Sequence, residues 1–311
     1  MVISNTGAMS GGYIDMGSWP DGKTVALGLI VPWERWPDDL GSSKSHQRTS
    51  QRPLPSSARY DRDMWAVYDH QYGETQGVRR LLNLFDDHGV KATFVINGQR
   101  VEESPDLARD VQARGHDMAS ENYLHQYAVM YDLDGERKSL QNTVEAFNNV
   151  LGKPPTGYIS PGHRPTPNTV PLLFDLGYRW DADFQLDDVP FVITDGDRRM
   201  VGMPYAHISD YHTYASNART PRQVLEMLRD ELRALRREGL RGDPKMIGYA
   251  LHPYICHGFR TETIHEFLSE AGELGDVWIT TRNEICDWVL ANEKEYVSLT
   301  LDEIVAQFPP G

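Results

Sequence analysis

Cysteine is nearly absent from this sequence: Cys256 and Cys286 are the two in 311 residues. That excludes a disulfide framework and fits a reducing compartment. A basic surplus is lacking as well, since 31 Lys and Arg stand against 45 Asp and Glu for a formal net charge of −14. The one arginine-rich run, "LRDELRALRREG", is interleaved with acids, so neither nucleic acid nor an anionic membrane surface is expected as a partner. Long apolar runs are missing: no window approaches the roughly 18 residues that a membrane span needs. The opening "MVISNTGAMSGGYIDMGSWPDG" has neither a basic n-region nor an apolar h-region, and the expectation is a cytoplasmic protein. Internal repeats and low-complexity tracts are absent too.

What is present is 40% hydrophobic residues, arranged in strand-like runs that alternate with amphipathic helical runs. This is the pattern of parallel strands joined by crossover helices. The strand candidates are "TVALGLIVPWER", "ATFVINGQR", "HDMASENYLH", "TGYISPGHR", "YRWDADFQLDD", "RMVGMPYAHISD", "MIGYALHPYICH" and "VWITTRNE", about the number that closes a (β/α) barrel. Between them, Val78, Leu81, Leu82 and Phe85 form an i, i+3, i+4, i+7 stripe that ends at Gly89. "SPDLARDVQARG" offers Ser104 as N-cap, Pro105 at the first helical position and Gly115 as the stop. Leu140, Val144, Phe147 and Leu151 mark another helix, and Val224, Leu228, Leu232 and Leu235 a further one. Residues 37–63 read as a long loop after the first strand, and 206–222 as a rim or lid segment. A single domain over 1–311 is expected.

Each strand candidate is apolar at its start and polar at its end. The ends supply Glu34, Glu121 with His125, His163 with Arg164, Asp187 with Asp188, Asp210, and His252 with His257. In a parallel barrel these ends share one face, so the polar groups should converge on one cavity. His252, whose ordinary pKa lies near neutrality, is a candidate general acid. Glu121 and His125 admit three readings: ligands of one divalent metal, most naturally zinc, with Glu34 or Asp69 as a third; metal-free acid–base groups, with Glu34 or Glu121 as the base; or a structural pair. Arg164, Asp188, Asp210 and Arg260 are candidate substrate orienters, because an arginine fork clamps carboxylate or imide oxygens. Trp33, Trp36, Tyr123, Tyr205 and Tyr254 would wall a flat pocket. Asp183 is a candidate support for His252. Cys256 and His257 are adjacent, so on a strand they would face opposite ways, which argues against a nucleophilic dyad.

"GVRRLLNLFDDHGVKATFVINGQ", "GHDMASENYLH", "GKPPTGYISPGHRPTPNT", "DADFQLDDVP", "MPYAHISD" and "LHPYICHGFR", in this order and spacing, resemble the polysaccharide deacetylase (NodB-homology, carbohydrate esterase 4-like) superfamily. The likeness points to its branch of metal-independent allantoinases and cyclic imide hydrolases. The resemblance implies a distorted (β/α) barrel of seven or eight strands, hydrolysis of a carbon–nitrogen bond and, often, a homo-oligomer. It also implies that His252 protonates a leaving nitrogen. The sequence departs from the metal-dependent members. Their first-strand aspartates match Ile30 and Pro32, their H-x-x-x-H pair reads Glu121-x-x-x-His125, and the arginine that opens their fourth motif matches Ile159. The metal-independent allantoinases carry Asn-Tyr-Glu where this chain has "PWE", so Glu34 matches their glutamate. The expected function is opening of a small cyclic amide or imide, or cleavage of a related amide, with either no cofactor or one divalent ion. The alternatives are a metal-dependent N-deacetylase of amino sugars or polysaccharide, and a catalytically degenerate barrel that binds a ligand.

Overall fold

A computed structural model describes residues 19–45, 54–55 and 57–308. Most of the opening segment and part of the 37–63 loop lie outside the described residues. Where described, residues 34–63 hold turns but no helix or strand.

The strands are β1 (Val25–Trp33), β2 (Thr93–Ile96), β3 (Asp117–Ser120), β4 (Gly157–Tyr158), β5 (Trp180–Asp181), β6 (Phe191–Asp195), β7 (Arg198–Gly202), β8 (Ile208–Ser209), β9 (Lys245–Ala250), β10 (Val277–Thr280) and β11 (Ser298–Thr300). Neighbours run β11-β6-β7-β5-β4-β3-β2-β1-β9-β8, with β10 also on β1. Along one edge of β1 the partner changes: Gly28 stands opposite Thr280 of β10, and two residues later Ile30 stands opposite Thr93 of β2. Among the described residues no ladder joins β8 back to β5 or β7. The protein is therefore an α/β fold whose sheet curls into a distorted barrel left open on that side.

The sequence reading merged β7 and β8 into one strand and passed over β6 and β11. Asp195 pairs with Arg198 across Gly196, which has φ 55°, so β6 and β7 form a tight antiparallel hairpin. The "DGD" at that turn was the available signal.

Helices cover the outer face. The long ones span Leu133–Leu151, Pro221–Gly239 and Gly258–Glu273, and Thr220 with Gln223 closes a reciprocal capping box at the second. Gly89, Gly115 and Gly152 take the left-handed conformation at helix ends, as their positions in sequence predict. Ser104 departs from its expected role. It makes no side-chain cap, and its hydroxyl donates instead to Glu74.

β1 shows how the core divides. Val25, Leu27, Leu29, Val31 and Trp33 join the cluster packed under the helices, whereas Ala26 and Ile30 join the barrel interior with Val95, Ala119, Ile159, Met246 and Ala250. The interior is filled in part by a cation. Arg282 is fully buried, and its guanidinium donates to the carbonyls of Pro204 (2.8 Å) and Tyr205. A Cβ built on Gly248 would stand 2.7 Å from that guanidinium and 2.2 Å from the Tyr205 carbonyl, so the glycine is required by close approach. Burial pulls the Arg282 pKa down to about 9.

Candidate active site

Alternation at a period of two delivers the polar side chains. On β1 the inward positions are 26, 28, 30 and 32, and the next one beyond the strand is Glu34. On β3, inward Ala119 is followed two residues later by Glu121. On β9, inward Ala250 is followed by His252. These three line one cavity of about 290 Å³ together with His125, which the turn after β3 carries. Its floor includes Pro32, Val95 and Ile159, all inward positions lower in the barrel.

Backbone and side-chain bonds fix this turn. Asn97, fully buried at the end of β2, accepts from the Arg35 N–H at 2.7 Å and donates to the carbonyl of Glu121. The His125 N–H in turn donates to the Arg35 carbonyl at 2.9 Å. Asn122 has φ 54°, a left-handed position that asparagine tolerates, and its side-chain oxygen accepts from Tyr158 Oη at 2.9 Å.

The ionisable groups form a row. Asp210 Oδ1 lies 2.6 Å from His252 Nδ1, and Asp210 Oδ2 accepts the His252 backbone N–H at 2.7 Å. The far nitrogen, His252 Nε2, lies 3.4 Å from Glu34 Oε1. That same oxygen is 3.8 Å from His125 Nε2, and His125 Nδ1 is 3.1 Å from Glu121 Oε1. Glu34 Oε2 accepts from Trp36 Nε1 at 2.5 Å. One carboxylate thus sits between two imidazoles, each backed by a carboxylate of its own.

The electrostatics follow from that row. Burial alone would raise the Glu34 carboxyl, but His125 and His252 overcome it and hold it far below the usual carboxylate range. Burial alone would lower His252, yet Asp210 and Glu34 raise it to about 10, so the ring is an imidazolium at neutral pH. Glu121 is pushed up by burial against the pull of His125. His70 packs against Tyr254 with ring centroids 4.0 Å apart, and burial drives it down to about 3 despite the attraction of Glu34.

The row would accept a cation. One ligand atom each from Glu34, Glu121 and His125 lie within 4.8 Å of one another. Among the described residues Glu121 Oε2 is buried without a hydrogen-bond partner, and His125 Nδ1, though close to Glu121 Oε1, is not aligned for a hydrogen bond. Two carboxylates and an imidazole with unmet bonding capacity are a donor set that suits a divalent ion such as zinc. The residues therefore fit such an ion.

The other expected site residues divide. Arg164 lines the cavity beside His163. Asp210, expected among the substrate orienters, contacts His252 and is not among the residues that line the cavity. Asp188 is displaced altogether. Its carbonyl accepts the Met246 N–H at 2.8 Å, at the start of β9 and away from the site, and its side chain meets His207. Asp187 goes with it. Arg260 stacks over Tyr214 and donates to the Ile255 carbonyl, off the cavity. Asp183 faces Ser160 and His163, not His252. Asp69 is half-buried near Arg260, and the adjacent His70 is the group that approaches Glu34. His257 stacks on Tyr72, while Cys256 is buried near Asp210, so they form no dyad; both cysteines are free. Trp36, Tyr205 and Tyr254 wall the cavity. Trp33, on the outward register, belongs to the helix-covered core, and Tyr123 turns to Glu102.

His163, Tyr127, Tyr211 and His212 line the cavity without having been assigned a role from sequence. Tyr211 and His212 fall inside 206–222, which forms β8 and a short wide-turn helix at the rim.

The family described as polysaccharide deacetylase matches residues 58–180. A Mycobacterium smegmatis crystal structure, provisionally named a polysaccharide deacetylase, is 28% identical with a TM-score of 0.75, over 89% of this chain and 94% of its own. The chain is similar over most of its length to proteins of the polysaccharide deacetylase superfamily. A Schizosaccharomyces pombe protein with the same provisional name is 23% identical over 89% of this chain and 93% of its own. The crystal structure of the PuuE allantoinase shares the fold, with a TM-score of 0.77 at 23% identity over 88% of this chain and 93% of that one. A Helicobacter pylori peptidoglycan deacetylase is 28% identical over 39% of this chain and 42% of its own. The deacetylases and the allantoinase among these relatives are amidohydrolase-type enzymes, hydrolases of carbon–nitrogen bonds. Among the described residues no helix is long and apolar enough to cross a membrane.

Proposed function

We propose that the enzyme hydrolyses a small amide, most directly a cyclic amide or imide, in the cavity above Glu34. The observation that carries this reading is the row Asp210–His252–Glu34–His125–Glu121, closed over by aromatic walls in a cavity of about 290 Å³. That volume is at the lower end for ligand pockets and suits one ring better than a glycan chain.

His252 is the general acid. Asp210 holds Nδ1, which leaves Nε2 to carry the proton that the departing nitrogen needs. Glu121 is the better base of the two glutamates. A base works best with a pKa near the working pH, and burial raises Glu121 while the imidazoles depress Glu34. Its buried, unpartnered Oε2 has the capacity to accept a proton from water. Glu34 fixes the two imidazoles at a common point, and His125 Nε2 supplies positive charge for the developing oxyanion. A divalent ion, when bound, would be held by Glu34, Glu121 and His125 and would supply a Lewis acid for the carbonyl oxygen.

A second reading, metal-dependent N-deacetylation of an amino sugar, is favoured by the family match and by that ligand-type trio. One panel separates the two. Hydantoin, succinimide, glutarimide and allantoin test ring opening, and chitooligosaccharides test deacetylation, each before and after chelation with the protein's metal content measured. Turnover of the sugars alone removes the ring-opening reading. If nothing turns over while one compound raises the melting temperature, the site binds without catalysis.

A further inference from the structure

The catalytic row occupies the β1, β3 and β9 side of the cavity, and the β4 side carries a different chemistry. β4 lies three strands round the barrel from β1. After it the chain turns through Gly162 and His163, both left-handed with φ 64° and 53°. For a residue with a Cβ this conformation is uncommon, and such strain concentrates where a side chain must be held in place. Two contacts hold it here. His163 Nδ1 lies 3.6 Å from Asp183 Oδ1, on a buried carboxylate anchored by the Ser160 N–H at 3.0 Å, and the ring packs on Tyr205 at 4.0 Å. With Nδ1 turned to Asp183, Nε2 is on the opposite edge of a ring that lines the cavity.

Arg164 follows directly. Its guanidinium lies over the Tyr127 ring, 4.3 Å from the centroid, and lines the same cavity. Among the described residues no carboxylate pairs with it, in a chain that carries 45 acids and in which Arg100, off this cavity, is paired with Glu74. Stacking on an aromatic face leaves the edges of a guanidinium open, and those edges match a carboxylate in bidentate fashion. No acid among the described residues fills that place.

We propose that the substrate is a small amide bearing a carboxylate, which Arg164 clamps and His163 shares, while the scissile carbonyl lies over the Glu34 side. This rests on the amide-hydrolase reading and narrows its substrate class. The cavity holds a ring plus one acidic substituent, and the anion opposite the row sets the direction in which the ring enters. Arg164 and His163 are thus specificity determinants.

The test uses matched pairs that differ by one carboxylate: dihydrouracil against dihydroorotate, and hydantoin against hydantoin-5-acetate. The wild-type enzyme is expected to prefer the acid in at least one pair by about 10-fold or more in kcat/KM, chiefly through KM. R164Q is expected to collapse that preference toward one, H163N, which tolerates the left-handed backbone, to reduce it, and R260Q, off the cavity, to retain it. Equal turnover of both members by the wild type overturns the carboxylate proposal and leaves the amide-hydrolase reading standing. If no compound is turned over, the amide-hydrolase reading fails and melting temperature decides the rest. A shift with the acids alone, lost in R164Q, supports the anion site; no shift with any compound, or equal shifts with acid and neutral partner, overturns it.

Discussion

Asp210 decides which nitrogen of His252 faces the cavity, because its two oxygens take Nδ1 and the backbone N–H of the same residue. An amide cannot hold an imidazolium in that way. Asp210→Asn should therefore lower kcat by on the order of 10²-fold or more while the fold persists, as judged by circular dichroism. The pH profile tells this from a packing defect. With His252 raised to about 10, kcat/KM should fall as pH rises through that value, and in Asp210→Asn the alkaline limb should move to lower pH. An unmoved limb would remove His252 as the acid. The same ionisation bears on stability with a fixed sign. The folded pKa lies above the ordinary 6.5, so the contribution is complete below pH 6.5 and is lost as pH rises through about 10.

At the scale of elements, the site depends on how strand ends are tied together. Asn97 joins the ends of β1 and β3 from its place after β2, and Asn97→Ala would strand the buried Arg35 N–H and the Glu121 carbonyl. An uncompensated buried group costs about 1–3 kcal/mol, so urea denaturation should report a loss of about 2–4 kcal/mol, with kcat reduced as Glu121 and His125 drift. Little change in the midpoint would mean that water replaces the amide. On β9, Gly248→Ala drives a methyl into the Tyr205 carbonyl and the Arg282 guanidinium. Overpacking of this kind costs about 1–3 kcal/mol, and because Tyr205 walls the cavity, KM should rise as stability falls. A variant as stable as the wild type would show that the 203–206 segment yields at no cost.

For the molecule as a whole, acid should weaken folding through histidines that are buried in the neutral form. His116 is buried behind β3, where its Nδ1 accepts the Ala92 N–H at 3.1 Å, and burial lowers its pKa to about 4. The unfolded chain takes up a proton near pH 6.5 that the folded chain refuses, so stability falls from pH 6.5 toward pH 4. His70, lowered to about 3, adds to the same slope. His116→Gln keeps an acceptor for Ala92 and removes the titration, so its melting temperature should decline less steeply over that window. Identical slopes in variant and wild type would assign the acid sensitivity elsewhere.

Much of this was legible in the sequence because a strand's period is two and its register is set by burial. In an apolar run such as "VALGLIVPW", the count 30, 32, 34 puts Glu34 on one face with Ile30 and Pro32, and the counts that reach Glu121 and His252 work the same way, but with both faces buried the packing decides which one is inner. The helices were legible for the same kind of reason, since their stripes are local. What the sequence could not carry were meetings between elements. Sequence points to Asp183 as the support of His252 and to Asp210 as a substrate orienter, and only the β8–β9 ladder brings Asp210 to His252 while β5 carries Asp183 to His163. Asp188 and Arg260 look like rim residues until the chain's path after β5 and β9 turns them away from the cavity. Local periodicity determined which side chains share a face. The tertiary structure decided which faces meet, because hydrogen bonds and ion pairs between strand ends depend on distances that one-dimensional spacing does not contain.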